Sequence, residues 1–146
     1  MVRWVDPAIP TQDAKLKILL VEDNPGDVRL LREALAEAGA AQFELTHLER
    51  LGDALRVMGD EPFDVALLDL SLPDSRGLET FLKLHASAPQ MPIVVMTGLD
   101  DEACAVEALR AGAQDYLVKG QVDGKTLARV MRHSMVRKQA GQGQHG

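Results

Sequence analysis

The sequence predicts an α/β fold, an open parallel sheet of five strands covered by helices on both faces. Three short apolar runs point to it: residues 15–21 (KLKILLV), 65–68 and 93–96. They have strand length and lack the polar alternation of a strand with one wet face, as strands buried on both sides do. A segment with helical spacing follows each run, stopping at a glycine after the first and third and before a proline-bracketed loop after the second, so strand and helix alternate along the chain. Size agrees: 146 residues, 46% hydrophobic and 26% charged, suit one compact core and exclude a disordered or fibrous chain.

The first strand, 15–21, ends at Glu22 and Asp23. Asn24 is placed to cap a helix with Pro25 at its first position, and Val28, Leu31, Leu35 and Ala38 recur at helical spacing up to Gly39. Residues 43–48 read as a second strand and 51–58 as a short helix ending at Gly59. The third strand, 65–68, ends at Asp69, and a helix follows over 77–86. Pro89 and Pro92 bracket a loop before the strand at 93–96, which ends at Thr97. Asp100, Asp101 and Glu102 suit a first helical turn, and Ala103, Val106, Leu109 and Arg110 lead to the stop at Gly112. A fifth strand, 115–118, ends at Lys119, and the last helix runs from about 123 to about 138 with Leu127, Val130, Met131 and Ser134 on one face. Parallel strands need crossover connections, and the natural small arrangement is a flavodoxin-like three-layer sandwich with strand order 2-1-3-4-5 and five helices. The domain spans 15–138, after an arm at 1–14 in which Trp4 is either exposed or clipped onto the domain. Residues 139–146 are polar and Gly-rich and read as a disordered tail.

No run reaches membrane-span length and the N-terminus has no apolar signal core, so a cytoplasmic location is expected. Cys104 stands alone, which excludes an internal disulfide and disfavours a cysteine-built zinc site. A net charge of -6 and 3% aromatics disfavour direct nucleic-acid binding. The basic stretch Lys125, Arg129, Arg132, Arg137 and Lys138 is a solvated helix face or a docking surface. The four histidines share no spacing and read as solvent-facing or tail residues, Cys104 as a small buried hydrophobe, and Met91, Met96, Met131 and Met135 as packing residues.

The functional signal lies at the strand ends. Every strand but the second stops at a ligating or reactive side chain: Glu22 and Asp23, Asp69, Thr97 and Lys119. In an open α/β sheet the carboxyl ends of the strands border one crevice, so these groups converge. Carboxylates at close approach repel by up to about 4 kcal/mol per pair at an effective dielectric near 20, so positive charge belongs among them. Hard oxygen donors without His or Cys suit Mg²⁺, and Lys119 adds a second cation. A carboxylate beside Mg²⁺, an ammonium and a hydroxyl is equipped to attack phosphorus and hold an acyl phosphate. Gly98, after Thr97, leaves room for the incoming group.

The motifs LLVEDNP at 19–25, LLDLSLPDSRG at 67–77, VVMTG at 94–98 and AGAQDYLVKG at 111–120 together resemble the receiver domain of two-component response regulators, in the style of the chemotaxis response regulator. The resemblance covers about 15–138. It implies that Asp69 is the phosphoacceptor, and that Glu22, Asp23, Asp69 and the backbone carbonyl of Ser71 bind Mg²⁺. Thr97 and Lys119 would bond the phosphoryl oxygens, and Thr97 with Tyr116 would form the switch. Ser71 and Leu99 match the positions that tune the lifetime of the phosphorylated state, and as a short hydroxyl and an apolar side chain they imply slow self-dephosphorylation. The family's lysine is usually followed by a cis proline; here Gly120 follows, and either takes a trans path or stores strain.

The implied function is a stand-alone switch that takes a phosphoryl group from a sensor histidine kinase or a phosphotransfer protein and signals by protein contact, with no enzymatic action beyond its own phosphorylation and dephosphorylation. A homodimer would use the fourth helix, fifth strand and fifth helix. Two alternatives stay open on the residues: a haloacid-dehalogenase-like phosphohydrolase, which wants an aspartate where Ser71 stands, and a phosphorylation-independent binding or dimerisation module.

Overall fold

The computed structural model describes residues 15–39 and 43–145, with side chains as far as Ser134 apart from that of Leu99. The arm at 1–14, with Trp4, lies outside the described residues. The elements are β1 (Leu16–Val21), α1 (Pro25–Gly39), β2 (Phe43–Leu48), α2 (Leu51–Asp60), β3 (Val65–Asp69), the two-residue strands β4 (Ser71–Leu72) and β5 (Ser75–Arg76), α3 (Leu78–Ser87), β6 (Ile93–Thr97), a 3-10 turn at Leu99–Asp101, α4 (Glu102–Ala111), β7 (Asp115–Val118) and α5 (Gly124–His145). The main sheet is parallel in the order β2-β1-β3-β6-β7, which is the expected 2-1-3-4-5 once the small hairpin β4–β5 is set aside.

Alternation along the strands divides the core between the two faces of the sheet. Ile18, Leu20, Val65, Leu67, Val94 and Met96 pack with Val28, Leu31 and Leu35 of α1 and with Leu127, Val130 and Met131 of α5. Leu19, Val21, Ala66, Leu68, Ile93 and Val95 pack on the other face with residues of α2, α3 and α4, Phe81 and Leu84 at the centre. The three central strands are therefore apolar at nearly every position, which is the pattern their sequence carries. Asn24 Oδ1 accepts the Asp27 N–H at 3.1 Å and caps α1, and Asp123 Oδ1 accepts the Thr126 N–H at 2.8 Å at the start of α5.

Four features differ from the sequence reading. The hairpin β4–β5 occupies a stretch read as connection, and its Asp74 accepts the N–H groups of Leu51 and Gly52, both at 2.9 Å. That carboxylate supplies the cap of α2, where Arg50 makes no side-chain cap bond. In α4 the buried face is Ala105 and Ala108, neither of them among the residues that mark the helix in sequence, and Val106, which is among them, is 41% exposed. Alanines carry little hydrophobic weight, so a pattern of apolar residues does not single out this face. Cys104 is half-buried, not a core residue. Finally, α5 continues to His145, past 138 and through the residues read as a disordered tail. Gln139, Ala140, Gln142 and Gln144 are compatible with a helix, and Gly141 and Gly143 weigh against one.

Candidate functional site

The strand ends meet as expected. Lys119, one residue beyond β7, extends its Nζ into a group of carboxylates: 2.8 Å from Asp69 Oδ2, 2.8 Å from Glu22 Oε1 and 3.3 Å from Asp27 Oδ2. The Asp69 contact is a hydrogen bond. The Glu22 contact is an ion pair out of line for one, and Oε1 is otherwise without a partner among the described residues. The second Asp69 oxygen, Oδ1, accepts the Ser71 N–H at 3.0 Å. Thr97 is tied to the same place through its backbone, its carbonyl accepting the Lys119 N–H at 2.8 Å. Its side-chain hydroxyl is buried and has no hydrogen-bond partner among the described residues.

Glu22, Asp23 and Asp69 each offer a carboxylate oxygen to one point, these atoms lying within 4.8 Å of one another. Glu22 and Asp69 are buried and Asp23 is not. Burial, followed by the proximity of Asp69, pushes the Glu22 carboxyl up to about 8 in spite of Lys119. Burial works against the charge on Lys119, yet the Asp69 and Glu22 carboxylates outweigh it and hold the ammonium well above its ordinary value. One lysine among four carboxylates leaves an excess of negative charge. Hard oxygens, a buried acid under-compensated by its one cation, and a partly exposed carboxylate, Asp23, beside it together fit a divalent cation such as Mg²⁺.

Of the residues singled out from sequence, the structure brings Glu22, Asp23, Asp69 and Lys119 into direct proximity, with Ser71 and Thr97 beside them. Tyr116 is in β7, opposite Val95 of β6, and packs half-buried on the core of the sheet face covered by α2, α3 and α4. Thr97 shares that face by alternation with Val95. Leu99 is in the 3-10 turn after β6 and its side chain lies outside the described residues. The Lys119–Gly120 bond is trans, no cis bond being present among the described residues, and Gly120 has φ +84°, a conformation that glycine adopts without steric cost. The loop into α5 is therefore built on glycine where the family uses proline.

Two neighbours of the site were missed. Asp27 is in the first turn of α1, directly after the turn that carries Glu22 and Asp23, and that position could have placed it beside the crevice. His47, read as solvent-facing, is half-buried, with Nε2 2.7 Å from the backbone carbonyl of Glu22. Its signal was only its place next to the end of β2, where the parallel register with β1 brings it beside the acidic pair. His85 is also not solvent-facing: it stacks on Phe81 with ring centroids 5.2 Å apart.

A doubly covered parallel sheet with an acidic, lysine-bearing crevice at its carboxyl edge defines the flavodoxin-like class whose chemistry is carried at strand ends. Comparison with known proteins narrows this to one family. The family model "Response regulator receiver domain" matches residues 18–131, and the chain belongs to that family. The swarming motility regulation protein RssB of Serratia marcescens is 35% identical over 115 residues, 79% of this chain and 51% of that protein. The KDP operon transcriptional regulatory protein KdpE of Escherichia coli is 35% identical over 121 residues, 80% of this chain and 52% of that one. Response regulator protein PilR of Pseudomonas aeruginosa is 33% identical over 106 residues, 73% of this chain and 23% of that one. The chain thus matches between about a quarter and a half of the length of these curated relatives. Among solved structures, a CheY-like response regulator receiver domain protein from Methanospirillum hungatei superposes with a TM-score of 0.74 at 26% identity, covering 88% of this chain and 99% of that one. No helix among the described residues is long and apolar enough to cross a membrane.

Proposed function

We propose that Asp69 accepts a phosphoryl group from a sensor histidine kinase or a phosphotransfer protein, and that the domain, residues 15–138, passes the change on through protein contacts in the cytoplasm. One observation carries the reading: a buried carboxylate bonded to a lysine meets the buried Glu22 and the partly exposed Asp23, and a buried threonine hydroxyl has no hydrogen-bond partner among the described residues. Such a hydroxyl is costly to keep unless a further acceptor arrives, and a phosphoryl oxygen is one.

Glu22, Asp23, Asp69 and the Ser71 carbonyl would hold Mg²⁺, which when bound neutralises charge on the phosphoryl oxygens. The chain's residues supply the rest. An Asp69 carboxylate oxygen attacks phosphorus; the new O–P bond forms as the bond from phosphorus to the donor's nitrogen breaks, and that electron pair leaves with the donor. The Lys119 ammonium exchanges its contact with Asp69 for one with a phosphoryl oxygen, so charge is neutralised where it arrives. Thr97 donates its hydroxyl to another oxygen and moves toward it. Tyr116, on the same sheet face, turns into the space released, which carries the local event to the surface of α4, β7 and α5. Ser71 and Leu99 offer no acid or amide to align a hydrolytic water, so the acyl phosphate is lost slowly. The domain acts on no separate substrate.

Fluoroberyllate, which mimics a phosphoryl group on a carboxylate, tests this reading. With Mg²⁺ it should shift amide resonances around Asp69, Thr97 and Tyr116 in the wild-type chain and leave the Asp69→Asn variant unchanged. Equal responses in the two proteins would refute the assignment of Asp69.

A further inference from the structure

We propose that His47 is a positioning residue for the acidic pair, its imidazole fixing the peptide that joins Glu22 to Asp23 and hence the direction of the two carboxylates. The proposal rests on the reading of that pair as the Mg²⁺ site.

The parallel ladder between β1 and β2 runs from Leu16 opposite Phe43 to Val21 opposite Leu48. Its last bond is donated by the Glu22 N–H to the Leu48 carbonyl at 3.0 Å. Beyond Leu48 the chain bends through Glu49 and Arg50 into α2, so the ladder stops one bond short of serving the Glu22 carbonyl. Glu22 is fully buried, and a buried carbonyl needs a donor. His47 provides it from its side chain, Nε2 lying 2.7 Å from the carbonyl oxygen. A carbonyl only accepts, so Nε2 carries the hydrogen and donates.

That carbonyl and the Asp23 N–H belong to one planar peptide, so a partner that holds the oxygen also sets where Asp23 leaves the strand. On the far side of the same turn, the Asn24 N–H donates to Glu22 Oε2 at 3.2 Å and the Asn24 side chain caps α1. The turn that carries both carboxylates is thus anchored by His47 before it and by Asn24 after it. Because Nε2 is engaged with the backbone, His47 acts on the metal through the carboxylates and not as a ligand. Outer-shell partners of this kind are as much a part of a metal site as its ligands.

The test is a Mg²⁺ titration of the whole chain, followed by calorimetry and by the amide resonances of residues 22–24, in the wild type and in Asp23→Ala, His47→Gln, His47→Ala and His47→Asn. Wild type should bind and Asp23→Ala should bind much more weakly. If wild type shows no Mg²⁺ response, the metal reading itself is wrong and this proposal falls with it, before any His47 variant is compared. His47→Ala should weaken binding about tenfold and shift the Glu22 and Asp23 amides even without metal. His47→Gln, whose amide N–H reaches as far as Nε2, should restore affinity to within about twofold. His47→Asn keeps an amide but is too short to reach, and should behave as the alanine variant; it replaces that variant if His47→Ala does not fold. Wild-type affinity in His47→Ala or His47→Asn, or a glutamine variant as weak as they are, would overturn the proposal.

Discussion

Lys119 and Asp69 could be placed in one crevice from sequence because strand ends converge whatever the details of packing, whereas the partners that hold the site in place come from elements distant along the chain. His47, Asp27 and Asp74 were not legible for that reason: a histidine at the end of an edge strand, an aspartate in a first helical turn and an aspartate in a Pro-Asp turn all have ordinary local explanations. Asp74 shows what such a residue contributes. The Gly52 and Leu51 N–H groups hold its carboxyl below the ordinary value of 3.8. A lowered carboxylate pKa stabilises the fold at pH above that ordinary value, and the contribution is lost as pH falls through the lowered folded-state value. Replacing Asp74 with alanine should cost about 1 kcal/mol in urea unfolding at neutral pH, and Asp74→Asn, which keeps an acceptor oxygen, less. The gap between wild type and Asp74→Ala should narrow in acid, toward the difference between Asp74→Asn and Asp74→Ala. A gap independent of pH would mean that the carboxylate charge contributes nothing.

At the scale of elements, the five sheet strands and the first three helices match their expected bounds to within two residues, because apolar runs and helical spacing are local signals, although α2 runs through its expected stop at Gly59 to Asp60. The interfaces were less legible. Gly124 is an example: it opens α5 against the end of α1, and a Cβ there would lie 2.6 Å from Glu37 Cβ and 3.0 Å from the Ala34 carbonyl oxygen. In sequence it is only the start of the expected last helix; in the fold it permits two helices to approach. Gly59, in α2, has nothing within 4 Å of such a Cβ. Gly124→Ala should therefore destabilise by about 1–3 kcal/mol through separation of the helices, and Gly59→Ala should stabilise by about 0.5–1 kcal/mol through helix propensity alone. Thermal unfolding of the two variants checks both. Equal stabilisation by both would show that α1 and α5 tolerate the methyl group. The hairpin β4–β5 escaped notice since two-residue strands carry no periodicity, and the buried face of α4 since alanines carry little hydrophobic weight.

For the molecule as a whole, the sheet order and the family were legible because four motifs fall at consecutive strand ends in the order the topology requires. The length of the last helix was not, since a Gln- and Gly-rich segment has no apolar stripe to fix its state. Lys125, Arg129 and Arg132 are exposed on α5, one of the three elements of the proposed output surface, where they border Glu37 and Ala38 of α1. Charge reversal at Arg129 or Arg132 should weaken phosphorylation-dependent self-association or partner binding in sedimentation without changing phosphorylation itself; association untouched by both changes would move the output surface elsewhere. All of this depends on one bond. Incubation with acetyl phosphate and Mg²⁺, followed by mass mapping of the borohydride-trapped product, should give a single phosphoryl-derived modification on Asp69, absent from Asp69→Asn and restored to the unmodified mass when Mg²⁺ is chelated before the donor is added. A modification on another residue, or one of equal yield in Asp69→Asn, would contradict the account.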